Sequence, residues 1–305
     1  MTELPTPADV DRAAQRIAPH IRRTPVLQAE IAGTSVWLKL EQLQITGSFK
    51  ARGATNAVLS LPTRPPAVVA ASGGNHGLAV AHAAAAAGIA ATVVVPESVP
   101  DAKARLLAAS GASVVRHGDQ YAEAEAHARH LATALHAPFI HAYADPDVIA
   151  GQGTVAREIL TDIGDRCDAL LVAVGGGGLI SGCATACRES GVRVVGVEPE
   201  GAPTLRAALD AGAPVEVEVN SITASALGAR ITGALNLAIA QEAVADVVLV
   251  TDTDILSARD LLWETCRIAV EPAGAAGLAA ILEGAVQADD PCIVLCGANT
   301  TWAPG

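Results

Sequence analysis

The chain has 305 residues, of which 51% are hydrophobic and only 2% aromatic, and its net charge is −12. This acidic balance, with no run or face of Lys and Arg, excludes a nucleic-acid-binding protein. No apolar run reaches membrane-spanning length and the N-terminus lacks a signal pattern, so we expect a cytoplasmic protein without a membrane segment.

The first sixty residues are predicted to contain a helix, two strands and a second helix. Asp9 to Ile17 has the pattern of an amphipathic helix, and residues 26–27 and 35–40 have that of strands. The sequence TGSFK, at positions 46–50, then places Lys50 just after a tight turn of small residues. A helix is expected to follow as far as about Leu59.

Strands and helices alternate from residue 67 to residue 141. Strands are predicted at 67–71, 91–95, 113–116 and 138–141, and helices at 77–87, 100–110 and 121–136. This alternation is typical of a parallel sheet with right-handed crossovers.

The second half of the chain continues the same alternation. Strands are predicted at 169–174, 192–197, 246–250 and 292–296, helices at 148–163, 179–188, 204–211, 253–268 and 273–282, and an irregular segment at 215–229. Residues 169–174 are continuously apolar, which indicates a buried central strand. With so few aromatic residues, the core must consist mainly of Ala, Val, Leu and Ile, and the fold class is α/β.

Three loops follow apolar strands: SGGNHG at 72–77, GGGG at 175–178 and CGAN at 296–299. The carboxyl ends of parallel strands lie at one edge of a sheet, where ligands bind. Lys50 at that edge could form a Schiff base with an aldehyde, provided that burial lowers its pKa. The glycine run and the helix after it could hold a phosphate through backbone N–H groups. A lysine beside a phosphate site suggests pyridoxal 5'-phosphate.

Six segments resemble the serine/threonine dehydratase family: GSFKARGA (47–54), SGGNHG (72–77), AGQGT (150–154), VGGGGLISG (174–182), EPAGAAGLAA (271–280) and LCGAN (295–299). The resemblance implies the tryptophan-synthase-β-like fold of the pyridoxal-phosphate enzymes of fold type II. That fold has two domains, each a three-layer αβα arrangement around an open, parallel-rich sheet. It implies a large domain of residues 1–65 and 144–305, a small inserted domain of residues 66–143 and a cofactor between them. Relatives are commonly homodimers or homotetramers.

The resemblance also assigns roles to cofactor-binding residues. Lys50 would bind the cofactor covalently and then act as the base at the substrate Cα. The other residues assigned to the cofactor are Phe49, Asn75, Gly175, Gly176, Gly177, Gly178, Leu179, Glu271 and Cys296. For three of these a plainer interpretation stays open: Phe49 could be ordinary core packing, Glu271 a helix cap and Cys296 a buried cysteine at a strand end.

The loop at 72–77 would hold the substrate carboxylate. The residues assigned to that role are Ser72, Gly73, Gly74, Asn75 and His76, with His76 as a structural partner and not an acid or base. An ordinary strand-to-helix turn is the alternative, since Gly and Asn favour turns.

The sequence departs from the family pattern at two places. Gly73 stands where eukaryotic-type serine racemases have a second serine as a base, which argues against racemisation by that route. In the metal site of some members, Glu198 matches the first carboxylate and Ala202 could offer its carbonyl, but Thr204 replaces the second acid. A hard cation prefers several charged oxygens, so a divalent cation is not expected.

These features predict an enzyme that eliminates water and ammonia from L-threonine and/or L-serine to give a 2-oxo acid. The alternatives are a dehydratase of another β-hydroxy amino acid, such as 3-hydroxyaspartate or a β-aryl serine, and a serine racemase. A β-replacement enzyme and a non-catalytic amino-acid sensor are further rivals. The only partners expected are a small amino-acid substrate and further copies of the chain.

Overall fold

The computed structural model describes residues 3–300 and Trp302, and its larger sheet has six strands. Their spatial order is β1-β2-β9-β6-β7-β8. The strands are β1 Val26–Ile31, β2 Thr34–Lys39, β6 Ala169–Ala173, β7 Arg193–Pro199, β8 Asp246–Val250 and β9 Pro291–Val294. Only β1 and β2 pair antiparallel, and all other neighbours are parallel. Every residue of β6 is buried, so both faces of this central strand are covered, as its apolar sequence predicts.

A second, smaller sheet has three strands in the order β3-β4-β5. They are β3 Ala67–Ala71, β4 Ala90–Val95 and β5 Ala112–Arg116, and both pairings are parallel, as predicted. All three strands fall within the predicted inserted domain of residues 66–143. The exact domain boundaries stay a prediction.

Helices follow or precede nearly every strand. They are α1 Pro7–Ile17, α2 Lys50–Leu59, α3 Asn75–Ala87, α4 Asp101–Ala109, α5 Tyr121–Ala134, α6 Pro146–Asp162, α7 Gly178–Cys187, α8 Thr204–Ala211, α9 Ala224–Leu227, α10 Ala234–Ala243, α11 Asp252–Cys266 and α12 Pro272–Leu282. Each helix predicted from the sequence is present, and its ends agree to within about two residues.

The prediction of a strand at 138–141 is wrong. Only Phe139 pairs there, in an isolated bridge to Val69, because the chain turns away at His141. The helix α10 was not predicted, although its Ala- and Leu-rich sequence favours a helix. The segment 215–229 is irregular as predicted except for the single turn of α9.

The core consists of small and branched aliphatic side chains. Among the described residues, Trp37 is the only aromatic side chain in the buried hydrophobic set. Close packing of parallel strands by Ala-rich helices therefore replaces the aromatic contacts common in other cores. None of the described helices has the length and apolar character needed to cross a bilayer.

Candidate active site

A cavity of about 440 Å³ lies where the loops after β3, β6 and β9 meet the start of α2. Its volume is within the range of small-molecule sites. All residues predicted to bind the cofactor or the substrate carboxylate line it: Phe49, Lys50, Ser72, Gly73, Gly74, Asn75, His76, Gly175, Gly176, Gly177, Gly178, Leu179, Glu271 and Cys296. The tertiary structure thus brings together segments that are more than two hundred residues apart in the chain.

Lys50 reaches the cavity because its turn is attached to the loop after β9. Gly47 has φ +76°, a left-handed conformation that favours glycine. Ser48 forms an antiparallel bridge with Gly297, and the Phe49 N–H donates to the Cys296 carbonyl at 3.0 Å. These contacts join the first and last of the spaced motifs and fix where α2 begins.

Within the part of the chain that the structure describes, one hydrogen bond holds the Lys50 amine inside the cavity. Its Nζ donates to the Ala142 carbonyl at 2.9 Å and lies 5.2 Å from the centre of the Phe49 ring. Burial lowers the pKa of Lys50 to about 8, although Cys296 and Glu271 act in the opposite direction. A pKa of about 8 leaves about a tenth of the amine neutral at pH 7, and this is the form that can attack an aldehyde. Phe49 both lines the cavity and packs on the core, so its two interpretations are compatible.

The glycine run forms a concave turn between β6 and α7. Gly177 has φ +97°, and a Cβ at Gly176 would lie 2.3 Å from the Tyr143 ring, so neither position accepts a side chain without strain or collision. Within the described residues, none of the N–H groups of Gly175 to Leu179 donates to a protein acceptor. A row of unengaged N–H groups at a helix N-terminus fits a phosphate, and the predicted cofactor carries one.

The loop after β3 offers a second set of free donors. The Ser72 hydroxyl oxygen accepts from the Gly74 N–H at 3.2 Å, so the hydroxyl proton is available to a ligand. Across residues 3–300 and 302, the N–H groups of Gly73 and Asn75 have no protein acceptor. Because α3 begins at Asn75, these donors lie at its positive end, which fits a carboxylate.

A chain of amide hydrogen bonds crosses the cavity wall. The Asn299 amide donates to the Asn75 side-chain oxygen at 2.6 Å and to the Thr46 carbonyl at 3.0 Å. The Asn75 amide in turn donates to Glu271 Oε1 at 2.8 Å. Sequence reasoning gave Asn299 no role, although it closes the last motif. It ties the lysine turn to the Asn75 loop.

Glu271 lies at the N-cap position of α12, but its carboxylate makes no capping hydrogen bond there. The helix-cap interpretation is therefore wrong for its side chain, which lines the cavity and accepts from Asn75 instead. Burial raises the pKa of Glu271 to about 7, against the opposing effects of Asn75, Lys103 and Lys50.

The remaining predicted residues are neutral side chains. Burial raises the pKa of the Cys296 thiol, with Glu271 adding to the effect, so Cys296 stays protonated at neutral pH. His76 is buried, its Nε2 lies 3.0 Å from the Ile140 carbonyl, and burial lowers its pKa to about 3. A neutral His76 that contacts the backbone fits the prediction that it is a structural partner and not an acid or base.

The two weak metal candidates lie away from the cavity. The Glu198 carboxylate accepts from the N–H groups of Leu205 and Arg206 at 2.7 and 2.9 Å, and the Ala202 carbonyl accepts from the Thr204 N–H. Both are thus engaged in starting α8. Across the described part of the chain, no group of three or more His, Cys, Asp or Glu residues is placed to bind a metal ion.

A buried ionic network anchors the helix that carries Lys50. Arg52, fully buried, binds both oxygens of Glu41 at 2.7 and 2.8 Å and both oxygens of Glu158 at 2.8 and 2.9 Å. Lys39 donates to Glu158 at 2.6 Å, and Thr24 donates to Glu41. Two cations face two carboxylates, so the charge of the cluster is balanced.

Comparison with known proteins connects this site to one family. The family described as pyridoxal-phosphate dependent enzyme matches residues 17–297. A serine racemase of Arabidopsis thaliana is 37% identical and is covered over 92% of its length by 95% of this chain. An L-threonine ammonia-lyase of Thermotoga maritima is also 37% identical, with 95% of this chain matching 75% of that protein. The crystal structure of a T.th. threonine deaminase superposes with a TM-score of 0.92 at 38% identity, covering 98% of this chain and all of the other.

Proposed function

Because the chain belongs to the family of pyridoxal-phosphate dependent enzymes, we propose that it is an ammonia-lyase for L-threonine and/or L-serine. The products would be a 2-oxo acid and ammonia. Two of the similar proteins are named as a threonine ammonia-lyase and a threonine deaminase, which supports a lyase.

The cavity offers a binding group for each part of the cofactor. The N–H groups from Gly175 to Leu179 would hold the phosphate, and the Lys50 amine would bind the aldehyde carbon. Asn75 and the Cys296 thiol would contact polar atoms of the ring. When bound, pyridoxal phosphate withdraws electrons from the Cα of an attached amino acid and so acidifies its proton.

Lys50 would move the Cα proton. Its pKa of about 8 means that Nζ can accept a proton and release it again near neutral pH. The Ser72 hydroxyl and the N–H groups at the start of α3 would bind the substrate carboxylate and keep Cα within reach of Nζ. Cys296, as a neutral thiol, offers no negative charge to a ring nitrogen, and this favours prompt loss of the β-hydroxyl over transamination.

The convergence of Lys50 Nζ, the free N–H groups of the glycine run and the Cys296 thiol in one cavity carries this proposal. The test is to load the purified protein with pyridoxal phosphate and to measure 2-oxobutyrate from L-threonine and pyruvate from L-serine. A loaded protein that yields neither product would disprove the assignment. Serine binding without any change in cofactor absorbance would instead favour a non-catalytic sensor.

One observation favours 3-hydroxyaspartate as a second candidate substrate. Lys103 lines the cavity, where it acts to lower the pKa of Glu271, and among the described residues its amine has no hydrogen bond or ion pair. A free cation could bind the second carboxylate of a dicarboxylic substrate. A higher kcat/KM for 3-hydroxyaspartate than for threonine, lost in Lys103→Met, would establish this alternative.

Racemisation is less well supported, although one similar protein is named a serine racemase. Gly73 carries no proton-transferring side chain, and a Cβ there would lie 2.7 Å from Val99 Cγ2. The Val99 side chain therefore occupies the space that a serine side chain would need at this position.

A further inference from the structure

The turn from His141 to Ala144 is folded around one imidazole. Nδ1 of His141 accepts from the backbone N–H groups of Tyr143 at 3.2 Å and of Ala144 at 2.9 Å. An atom that accepts two hydrogen bonds carries no proton, so the proton of the neutral ring lies on Nε2. This arrangement is that of an Asx turn, with an imidazole in place of an amide oxygen.

The turn from His141 to Ala144 contacts both Lys50 and the glycine run. The Ala142 carbonyl receives the hydrogen bond from Lys50 Nζ at 2.9 Å. The Tyr143 ring lies against Gly176, where a Cβ would be only 2.3 Å from it. The Tyr143 carbonyl accepts from Asn236 at 3.0 Å, and the Tyr143 hydroxyl donates to the Ile231 carbonyl at 3.0 Å.

The other side of the imidazole faces a carboxylate on α5. Nε2 of His141 lies 3.6 Å from Glu125 Oε1, and both groups are largely shielded from solvent. His141 and Arg129 lower the pKa of Glu125 to about 2 in spite of its burial, so Glu125 is ionised at neutral pH. A carboxylate there favours the tautomer that leaves Nδ1 free to accept.

We propose that His141 is a positioning residue that fixes the Ala142 carbonyl against Lys50 and the Tyr143 ring against the glycine run. This inference rests on the proposed function only for its activity readout. His141 touches neither a reacting atom nor the space for the cofactor, and it acts through the backbone of the turn. His141 lies within the segment 135–145, which links α5 to α6.

Two substitutions separate the two sides of the ring. In His141→Asn, the amide oxygen takes the place of Nδ1 and can accept the same N–H groups, but the side chain no longer reaches Glu125. In His141→Gln, the amide lies near the place of Nε2 and can still contact Glu125, but the acceptor for the turn is lost. Both variants therefore carry an amide, but each keeps a different one of the two contacts that the imidazole makes.

The first readout is covalent capture of the cofactor by apoprotein. Each protein is mixed with pyridoxal phosphate, reduced with borohydride at successive times, and the modified peptide containing Lys50 is quantified by mass spectrometry. We expect parent and His141→Asn to be captured at the same rate and His141→Gln more slowly. In the lyase assay, His141→Gln should lose about 100-fold in kcat, the effect of a displacement of about 1 Å, whereas His141→Asn keeps most of it.

Capture by His141→Gln at the parental rate would overturn the proposal, as would a loss in His141→Asn equal to that in His141→Gln. Thermal unfolding shows whether each variant is folded, and if His141→Gln is not, the behaviour of His141→Asn alone decides. The capture assay requires no substrate. A parent that captures cofactor but lacks lyase activity therefore refutes the proposed function and leaves the role of His141 testable.

Discussion

Replacing Arg52 by Met should destabilise the protein strongly without changing any residue that lines the active site. Arg52 forms ion pairs with Glu41 and Glu158, and Glu41 is itself fully buried. After the substitution, Lys39 remains beside Glu158, whereas among the described residues the Glu41 carboxylate keeps only the hydroxyl of Thr24. The cluster then holds two carboxylates and one cation in a site that excludes water.

The magnitude follows from the cost of an unpaired buried charge. Removing one partner of a buried ion pair costs about 3–5 kcal/mol, because the desolvated charge that remains has no compensation. At about 2 °C per kcal/mol for a chain of this size, the melting temperature should fall by roughly 6–10 °C. Since Arg52 lies two residues after Lys50, cofactor capture should also weaken near the new melting temperature.

The assay is urea unfolding of the parent and Arg52→Met, followed by circular dichroism. The control is Arg12→Met, which removes an exposed ion pair with Asp9 on α1 and should change the free energy of unfolding by less than about 1 kcal/mol. If Arg52→Met loses no more stability than Arg12→Met, the network is not an anchor and the reasoning from burial is wrong.

Three further predictions concern the active site. Lys50→Ala should reduce borohydride-stable attachment of the cofactor to the background level at other amines such as Lys103, and undiminished attachment in this variant would remove Lys50 from its role. Glu271→Gln should flatten the pH dependence of unfolding of the apoprotein. Because the pKa of Glu271 is about 7 against 4.5, its ionisation costs about 3.5 kcal/mol of stability at about 1.4 kcal/mol per pKa unit. This cost is absent below pH 4.5 and complete above pH 7. Equal pH slopes for parent and variant would contradict this shift. Gly73→Ser should reduce the free energy of unfolding by about 1–3 kcal/mol, because the new side chain overpacks against Val99. Adding Val99→Ala should restore the stability, and a double variant without this rescue would show that the collision is not the cause.

Local sequence features were sufficient for most of the secondary structure. Residues 169–173 form a strand although apolar and polar residues do not alternate there, because both faces of this strand are buried. Glycine or proline marks the end of several helices. The family, the fold class and the cofactor were also predicted correctly from six spaced motifs, and the match over residues 17–297 confirms them. Gly177 in the glycine run has a local reason to be glycine, its positive φ, whereas Gly176 is confined to glycine by the distant Tyr143 ring.

Contacts between distant segments were not visible in the sequence. In the sequence His141 appeared only as the end of a predicted strand, because nothing local shows that its ring accepts hydrogen bonds from the following turn and faces Glu125 on another helix. Likewise, Asn299 gains its position from Thr46 and Asn75, and the pKa of Lys50 falls only because the assembled cavity removes water from it. The sequence determined which groups are available for catalysis, whereas the tertiary structure decided their distances, their solvation and therefore their charge.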